Sequence, residues 1–287
     1  IGTCLVGSEM CIRDSINLKD RLDLIGGKGL FVKEIEQMLL DRKIDAAVHS
    51  MKDMPTIMTP GLKVAAWLSR GDEREVLIGN ENKSIMELKP GSVIGTSSIR
   101  RRSQILSLRN DLVIKLIRGN VDTRINKLDQ GLYDALILGF GGINRLDLSK
   151  RVTQIFSINE ILPPACQASV GIQTLDEDST LINLISNTNH KDSSIIGIAE
   201  RKVLEVLRAN CNSPIGVHAF FEDKNYLTIK VELFSHNGQE KYIAEASGKC
   251  DDSIKTAIEV GNIIIKKVGQ KYINELDKLK DDFNYSP

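Results

Sequence analysis

The segment GTSSIRRRSQILSLR sets three consecutive arginines, Arg100, Arg101 and Arg102, directly after Gly95, Thr96, Ser97 and Ser98. Ile99, Ile105, Leu106 and Leu108 recur at helical spacing, so the arginines fall in the first turn of a helix predicted from Ser98 to Arg109. Cations at that end oppose the helix dipole, at a cost of about 0.3 to 1 kcal/mol each. A bound anion reverses the sign. Backbone N–H groups, hydroxyls and guanidinium forks at one turn have the chemistry of a carboxylate or phosphate pocket, and a solvated basic turn is the alternative. IRGNVDTRI repeats the arrangement, with Arg118 and Arg124 on either side of a turn where Gly119 is free to become left-handed; surface ion pairs are the alternative for both arginines.

A carboxylate stands at a third such turn. In HSMKDMP a strand read from Ile44 to Ser50 runs into Lys52 and Asp53, and Pro55 closes the turn. Asp53 could bind N–H donors or move a proton, or it could be an ordinary turn-former. Lys52 beside it favours the ionised form, whereas burial would oppose it. His49 is read as a core or turn histidine. GGKGLFVKE places Lys28 among Gly26, Gly27 and Gly29 ahead of a helix, without the full phosphate-loop pattern. ANCNSPIG carries Cys211 in a polar loop with little apolar cover, a candidate nucleophile or attachment point, against the commoner role of a small buried hydrophobe. Cys166, in PPACQA, is ambiguous in the same way, and Cys250 reads as packing.

The elements that must hold these residues alternate. A helix is predicted over Leu30 to Lys43, then the strand to Ser50. From Glu75 follow a strand near VLIG, a strand Ser92–Thr96, the arginine helix, a strand Leu112–Ile117, a helix Val121–Gln130 and a strand Asp134–Gly139. Short connections between them imply an α/β layer with a largely parallel sheet, and in such sheets ligands bind beyond the carboxyl ends of the strands. ILPPACQAS is a proline-containing return. A helix Ile195–Leu207, alternating strands around a His-Asn-Gly turn and a last helix Ser253–Leu279 make a small α+β unit.

Composition narrows the partners. In 287 residues Lys+Arg and Asp+Glu both number 38, so net charge offers no argument for nucleic acid or a membrane surface, and any anion site must be a local cluster. No apolar run spans a bilayer and no secretory leader is recognised, so a cytoplasmic location is expected. Five scattered cysteines without Cys-x-x-Cys spacing indicate neither a disulfide framework nor a metal site. Residues 1–15 lack periodicity. Cys4 to Ser15 resembles translated adaptor read-through, so this non-native-looking segment is set aside.

Taken in order, GGKGLFVKE, AVHSMKDMP, GTSSIRR, IRGNVDTR, LPPACQASVGI and CNSPIG resemble the porphobilinogen deaminase (hydroxymethylbilane synthase) family from about residue 24 to the last helix. The resemblance implies two periplasmic-binding-protein-like α/β domains flanking a cleft plus a small α+β C-terminal domain. In this chain they would be residues 16–68 with 169–186, 73–163 and 191–285. It implies a monomeric transferase of tetrapyrrole (haem) biosynthesis. Four porphobilinogen molecules are deaminated and condensed onto a dipyrromethane cofactor, and hydrolysis releases hydroxymethylbilane. By motif, Asp53 would be the catalytic carboxylate and Cys211 the thioether attachment. Lys52, Ser98, Arg100, Arg101 and Arg124 would bind cofactor, and Lys28, Arg118, Arg124 and Gln167 substrate. The family's opening Arg-x-Ser-Pro-Leu-type motif has no counterpart here. Cys166 and Ala168 stand where glycine or small residues are usual, and Ala209-Asn210 stands in place of Gly-Gly. A non-enzymatic anion-binding module on a similar fold is the competing reading.

Overall fold

The computed structural model describes residues 27–210, 212–235 and 238–276. The non-native-looking segment 1–15 lies outside the described residues, as do Cys211, two residues of the His-Asn-Gly turn and the side chain of Lys28.

Helix α1 (Gly27–Leu40) leads into β1 (Ala46–Ser50), the edge of a three-stranded sheet of order β1-β8-β2, with β2 at Leu62–Trp67 and β8 at Val170–Leu175. Both pairings are antiparallel, and a bulge interrupts β2 between Val64 and Ala66. No strand is expected from the sequence at β2 or β8. In β8 the neighbouring residues Gln173 and Thr174, on opposite faces of the strand, are polar yet fully buried, which hides the apolar alternation of a strand.

The second sheet has order β5-β4-β6-β3-β7: β3 Glu75–Gly79, β4 Val93–Gly95, β5 Val113–Lys115, β6 Ala135–Gly139 and β7 Gln154–Ile155. Helices α2 (Ile99–Leu108) and α3 (Val121–Asp129) carry the chain back between β4, β5 and β6, which are therefore parallel. β3 is antiparallel to both β6 and β7. The sheet is thus mixed rather than largely parallel. The link from β3 to β4 holds only a short turn, Ile85–Glu87, and no helix returns the chain to its starting edge, so β3 and β4 run in opposite directions. Consequently Glu75, the first residue of β3, pairs with Gly139, the last of β6, and sits at the edge where β4, β5 and β6 end. Apolar clusters cover both faces, one around Leu77, Ile94 and Ile137, the other around Val76, Leu136 and Leu138.

After β6 come α4 (Phe140–Arg145) and, beyond β8, α5 (Ser179–Ser186) and α6 (Lys191–Val206). The last sheet, β9 (Ile215–Phe221), β10 (Tyr226–Phe234) and β11 (Lys241–Lys249), is an antiparallel meander covered by α7 (Ser253–Val268). The predicted single terminal helix divides: Gly269 caps α7 at φ 82°, and α8 (Gln270–Leu276) starts anew.

Two strands of chain, 68–74 and 156–169, cross between the first and second sheets. Gly71 N donates to Ala168 O (3.1 Å), and Arg70 donates to Gln167 O and to Glu200 Oε1 on α6 (both 2.9 Å). Glu200, fully buried, also accepts from the amides of Cys166 (2.6 Å) and Ala219 (2.9 Å) and so ties both crossings to the last sheet. Cys166 (φ 59°) and Ala168 (φ 60°) are both left-handed, the conformation that glycine adopts at least cost.

Candidate functional site

β1 ends in a single 3-10 turn, Met51–Asp53, whose direction follows from its spacing. Met51 and Met54, three apart, are buried beneath it, which turns Lys52 outward and leaves Asp53 half-buried. Gly171 on β8 makes room: a Cβ there would stand 2.4 Å from Met51 Sδ. The following loop is held from the C-terminal unit, since Arg201 donates to Pro55 O (2.5 Å) and Thr56 O (3.0 Å). Thr56 Oγ1 donates to Ala209 O at 2.7 Å. That bond joins the Asp53 loop to the loop two residues before Cys211.

At the end of β4, Ser98 caps α2 by accepting from Arg101 N at 3.3 Å. The open anion pocket expected of Arg100 and Arg101 differs from what is found, because an internal acid already lies between them. Glu75 Oε1 accepts from Arg100 Nη2 (2.5 Å) and Arg101 Nε (3.1 Å), and Glu75 Oε2 accepts from Arg101 Nη2 (2.8 Å). Arg100 also donates to Gln104 Oε1 (2.7 Å) and Leu162 O (2.8 Å), and Arg101 to Ile137 O (3.2 Å). Burial pushes the Glu75 carboxyl up, but the charges and hydrogen bonds of Arg101 and Arg100 outweigh it and hold it at about 2. One carboxylate between two guanidiniums leaves a net positive charge at the strand ends.

The β5 end is built differently. Arg118 is buried (5% exposed), and Gly119 takes φ 111°, with a hypothetical Cβ only 2.6 Å from Thr123 Cγ2. Asn120 caps α3 by accepting from Thr123 N at 2.8 Å. Backbone carbonyls of the turn take the next cations: Arg124 Nε donates to Gly119 O (2.7 Å) and Lys127 Nζ to Arg118 O (3.0 Å). Burial, and then the charge of Arg124, lowers the Lys127 ammonium. Gln167 is almost wholly buried; its Nε2 donates to Glu73 O (2.8 Å), and its Oε1 would lie 3.2 Å from a Cβ on Gly139 at the end of β6.

The structure therefore sets Ser98, Arg100, Arg101, Arg118, Arg124 and Gln167 around one edge of the second sheet. Lys52 and Asp53 lie at the end of β1. Such a donor set, hydroxyl, ammonium and guanidinium with a surplus of positive charge, suits a ligand carrying several carboxylates. Cys166 offers no reactive thiol: burial, reinforced by Glu200, pushes it up to about 12. Sequence reasoning missed Glu75. Its one available signal was an acid opening the otherwise apolar run Val76-Leu77-Ile78. Among the described residues no cluster of His, Cys, Asp and Glu could hold a metal, and no helix is long and apolar enough to cross a membrane.

Residues 13–183 match the family model described as "Porphobilinogen deaminase, dipyromethane cofactor binding domain", and residues 194–270 match "Porphobilinogen deaminase, C-terminal domain". A porphobilinogen deaminase of Buchnera aphidicola is 39% identical over 259 residues, 90% of this chain and 82% of that protein. One from Syntrophobacter fumaroxidans is 38% identical over 88% of this chain and 81% of its own length. One from Francisella tularensis subsp. novicida is 40% identical over 81% and 77%. Among solved structures, a methionine-binding lipoprotein of Bacillus subtilis aligns with 55% of this chain and 75% of its own, at 16% identity and a TM-score of 0.38.

Proposed function

The chain belongs to the porphobilinogen deaminase family, and from that premise we propose that it condenses four molecules of porphobilinogen into hydroxymethylbilane with Asp53 as its catalytic carboxylate. The observation that carries the reading is the Thr56–Ala209 bond, which ties the loop after Asp53 to the residue two positions before Cys211. Dipyrromethane, bound as a thioether to Cys211, supplies the primer to which substrate is added.

The protein's own residues do the rest. Lys52, Ser98, Arg118 and Arg124 bind acetate and propionate groups, with Lys28 and Gln167 as further substrate contacts. Arg100 and Arg101 act with Glu75 as a partly neutralised positive base, lending field and hydrogen bonds rather than free forks. Substrate loses ammonia and becomes a cationic azafulvene. A carboxylate at Asp53 beside the pyrrole N–H stabilises that developing charge and holds the proton to be moved. Water is then the final acceptor that releases product. A cytoplasmic, monomeric enzyme acting on a small molecule, without nucleic acid or membrane, completes the proposal.

Intact-protein mass spectrometry is expected to show an added dipyrromethane that Cys211→Ala abolishes. Asp53→Ala should keep that mass and lose turnover by on the order of 10²- to 10⁴-fold. An unmodified mass in active protein, or near-normal ammonia release from Asp53→Ala, would sink the assignment.

A further inference from the structure

Between α1, β1 and β8 lies a buried polar chain that the proposed chemistry does not use. Glu36, on α1, is 3% exposed. Its Oε2 accepts from Thr59 Oγ1 at 2.6 Å and its Oε1 from Gln173 Nε2 at 2.9 Å. Gln173, fully buried on β8, sets its Oε1 3.0 Å from Nε2 of the buried His49. Because the Gln173 amide nitrogen is spent on Glu36, its oxygen must accept, so His49 carries its proton on Nε2. Every donor in the chain then points toward Glu36.

The two ends of this chain bracket Asp53. His49 lies four residues before it on β1, and Thr59 six residues after it at the far end of the loop. A carboxyl group is a costly way merely to fill space under a sheet, since burying it is unfavourable unless its oxygens are hydrogen-bonded. An apolar side chain would pack α1 against β1 and β8 at least as well. What a carboxylate adds is two directed acceptors, one for each side of the Asp53 segment.

We propose that Glu36 is a positioning residue for Asp53: through Thr59 on one side and Gln173–His49 on the other, it fixes both ends of the segment that carries the catalytic carboxylate. The inference rests on the role proposed for Asp53. Misplacing a reacting group by about 1 Å costs up to about 10²-fold in rate, so loosening the brace acts on kcat and leaves KM almost alone.

Three variants test it. Thr59→Val removes one of these bonds and Glu36→Leu both, and each should lower kcat by about tenfold or more in cofactor-loaded enzyme, with KM changed less than about twofold. Glu36→Gln should restore most of kcat, because its oxygen can accept from Gln173 while its amide donates to Thr59, whose hydroxyl can also accept. Hydrogen exchange supplies a readout independent of turnover. The amides of Met51, bonded to Ser169 O, and Met54, bonded to Met51 O, report on the turn. They should exchange faster in Thr59→Val and Glu36→Leu and at the parental rate in Glu36→Gln. Parental kcat and parental exchange in Thr59→Val and Glu36→Leu would overturn the inference. A parent chain that consumes no porphobilinogen would refute the proposed function instead, and the exchange data would still judge the brace.

Discussion

The β4–α2 and β5–α3 turns are written in the same grammar, a short strand, a glycine, a polar cap and arginines close to the helix start, yet they fold into different devices. At β4–α2 the cations face inward. Glu75 arrives from an antiparallel strand and takes Arg100 and Arg101 into a buried triad. At β5–α3 the turn's own carbonyls accept from Arg124 and Lys127. An unfavourable cation at a helix N-terminus can thus be offset by a bound anion or by an acid of the same chain, and local sequence does not distinguish the two. On the proposed reading, Arg100 and Arg101 of the β4–α2 turn are a charged frame, whereas Arg118 and Arg124 of the β5–α3 turn meet ligand.

The largest expected effect separates frame from ligand site. Glu75→Gln keeps shape but leaves two buried guanidiniums without their counter-charge, and removing one partner of a buried pair costs about 3 to 5 kcal/mol. Arg124→Gln loses a half-buried group bonded to a backbone carbonyl, with an expected stability change of less than about 1 kcal/mol. Its effect should appear as a raised KM for porphobilinogen. Urea unfolding and steady-state kinetics on both variants give the contrast. Equal stability losses would erase the distinction.

Why the sequence reveals one device and conceals the other is a matter of range. Gly119 and the cap Asn120 act within a few residues, as do the caps Ser98 and Asn120 on their helices, and all are legible in the turn motifs. The periodic runs of α2, α3, β4 and β6 are legible to within a few residues for the same reason. Glu75 closes the charged run Asp72-Glu73-Arg74-Glu75, and nothing in that run marks one of its acids as buried. It is buried only because β3 runs against β6, and strand direction depends on where a connection lands rather than on any residue. β8 escapes detection because Gln173 and Thr174, polar by type, are both fully buried, Gln173 against Glu36 and His49, partners distant in sequence. The break at Gly269 was locally visible: Lys266 and Lys267 in a last turn followed by glycine make a helix-end signature. The order of the six motifs, rather than any single residue, carries the placement of Asp53 and Cys211.

Acid should discriminate the two turns by a smaller margin. Glu75 is held at about 2 against an ordinary value of 4.5. A depressed carboxyl contributes stability that is complete above its unfolded value and disappears as pH falls toward the folded one. That contribution is therefore expected to be intact above about pH 5 and to fade between about pH 4.5 and 2. Urea midpoints measured across this range should fall with a component that Glu75→Gln removes and Arg124→Gln retains. An acid limb of the same slope in Glu75→Gln and the parent would show that the triad does not titrate as a unit.

The finest contrast lies in the two caps. Asn120 Oδ1 accepts from Thr123 N at 2.8 Å, a well-formed bond, whereas Ser98 Oγ accepts from Arg101 N at 3.3 Å, near the limit of a useful one. Replacing a cap residue by alanine costs typically about 1 kcal/mol, so Asn120→Ala should show the whole of that loss and Ser98→Ala about half. α2 is moreover pinned by the Arg100–Glu75 and Arg101–Glu75 pairs, which hold its first turn without help from the cap. The Ser98 hydroxyl is therefore the more available of the two for a carboxylate, and Ser98→Ala should weaken cofactor or substrate retention more than it weakens the fold. Thermal unfolding of both variants, with turnover measured beside it, decides. Should Ser98→Ala prove the more destabilising, the hydroxyl belongs to the helix rather than to the ligand, and the β4–α2 turn is frame throughout.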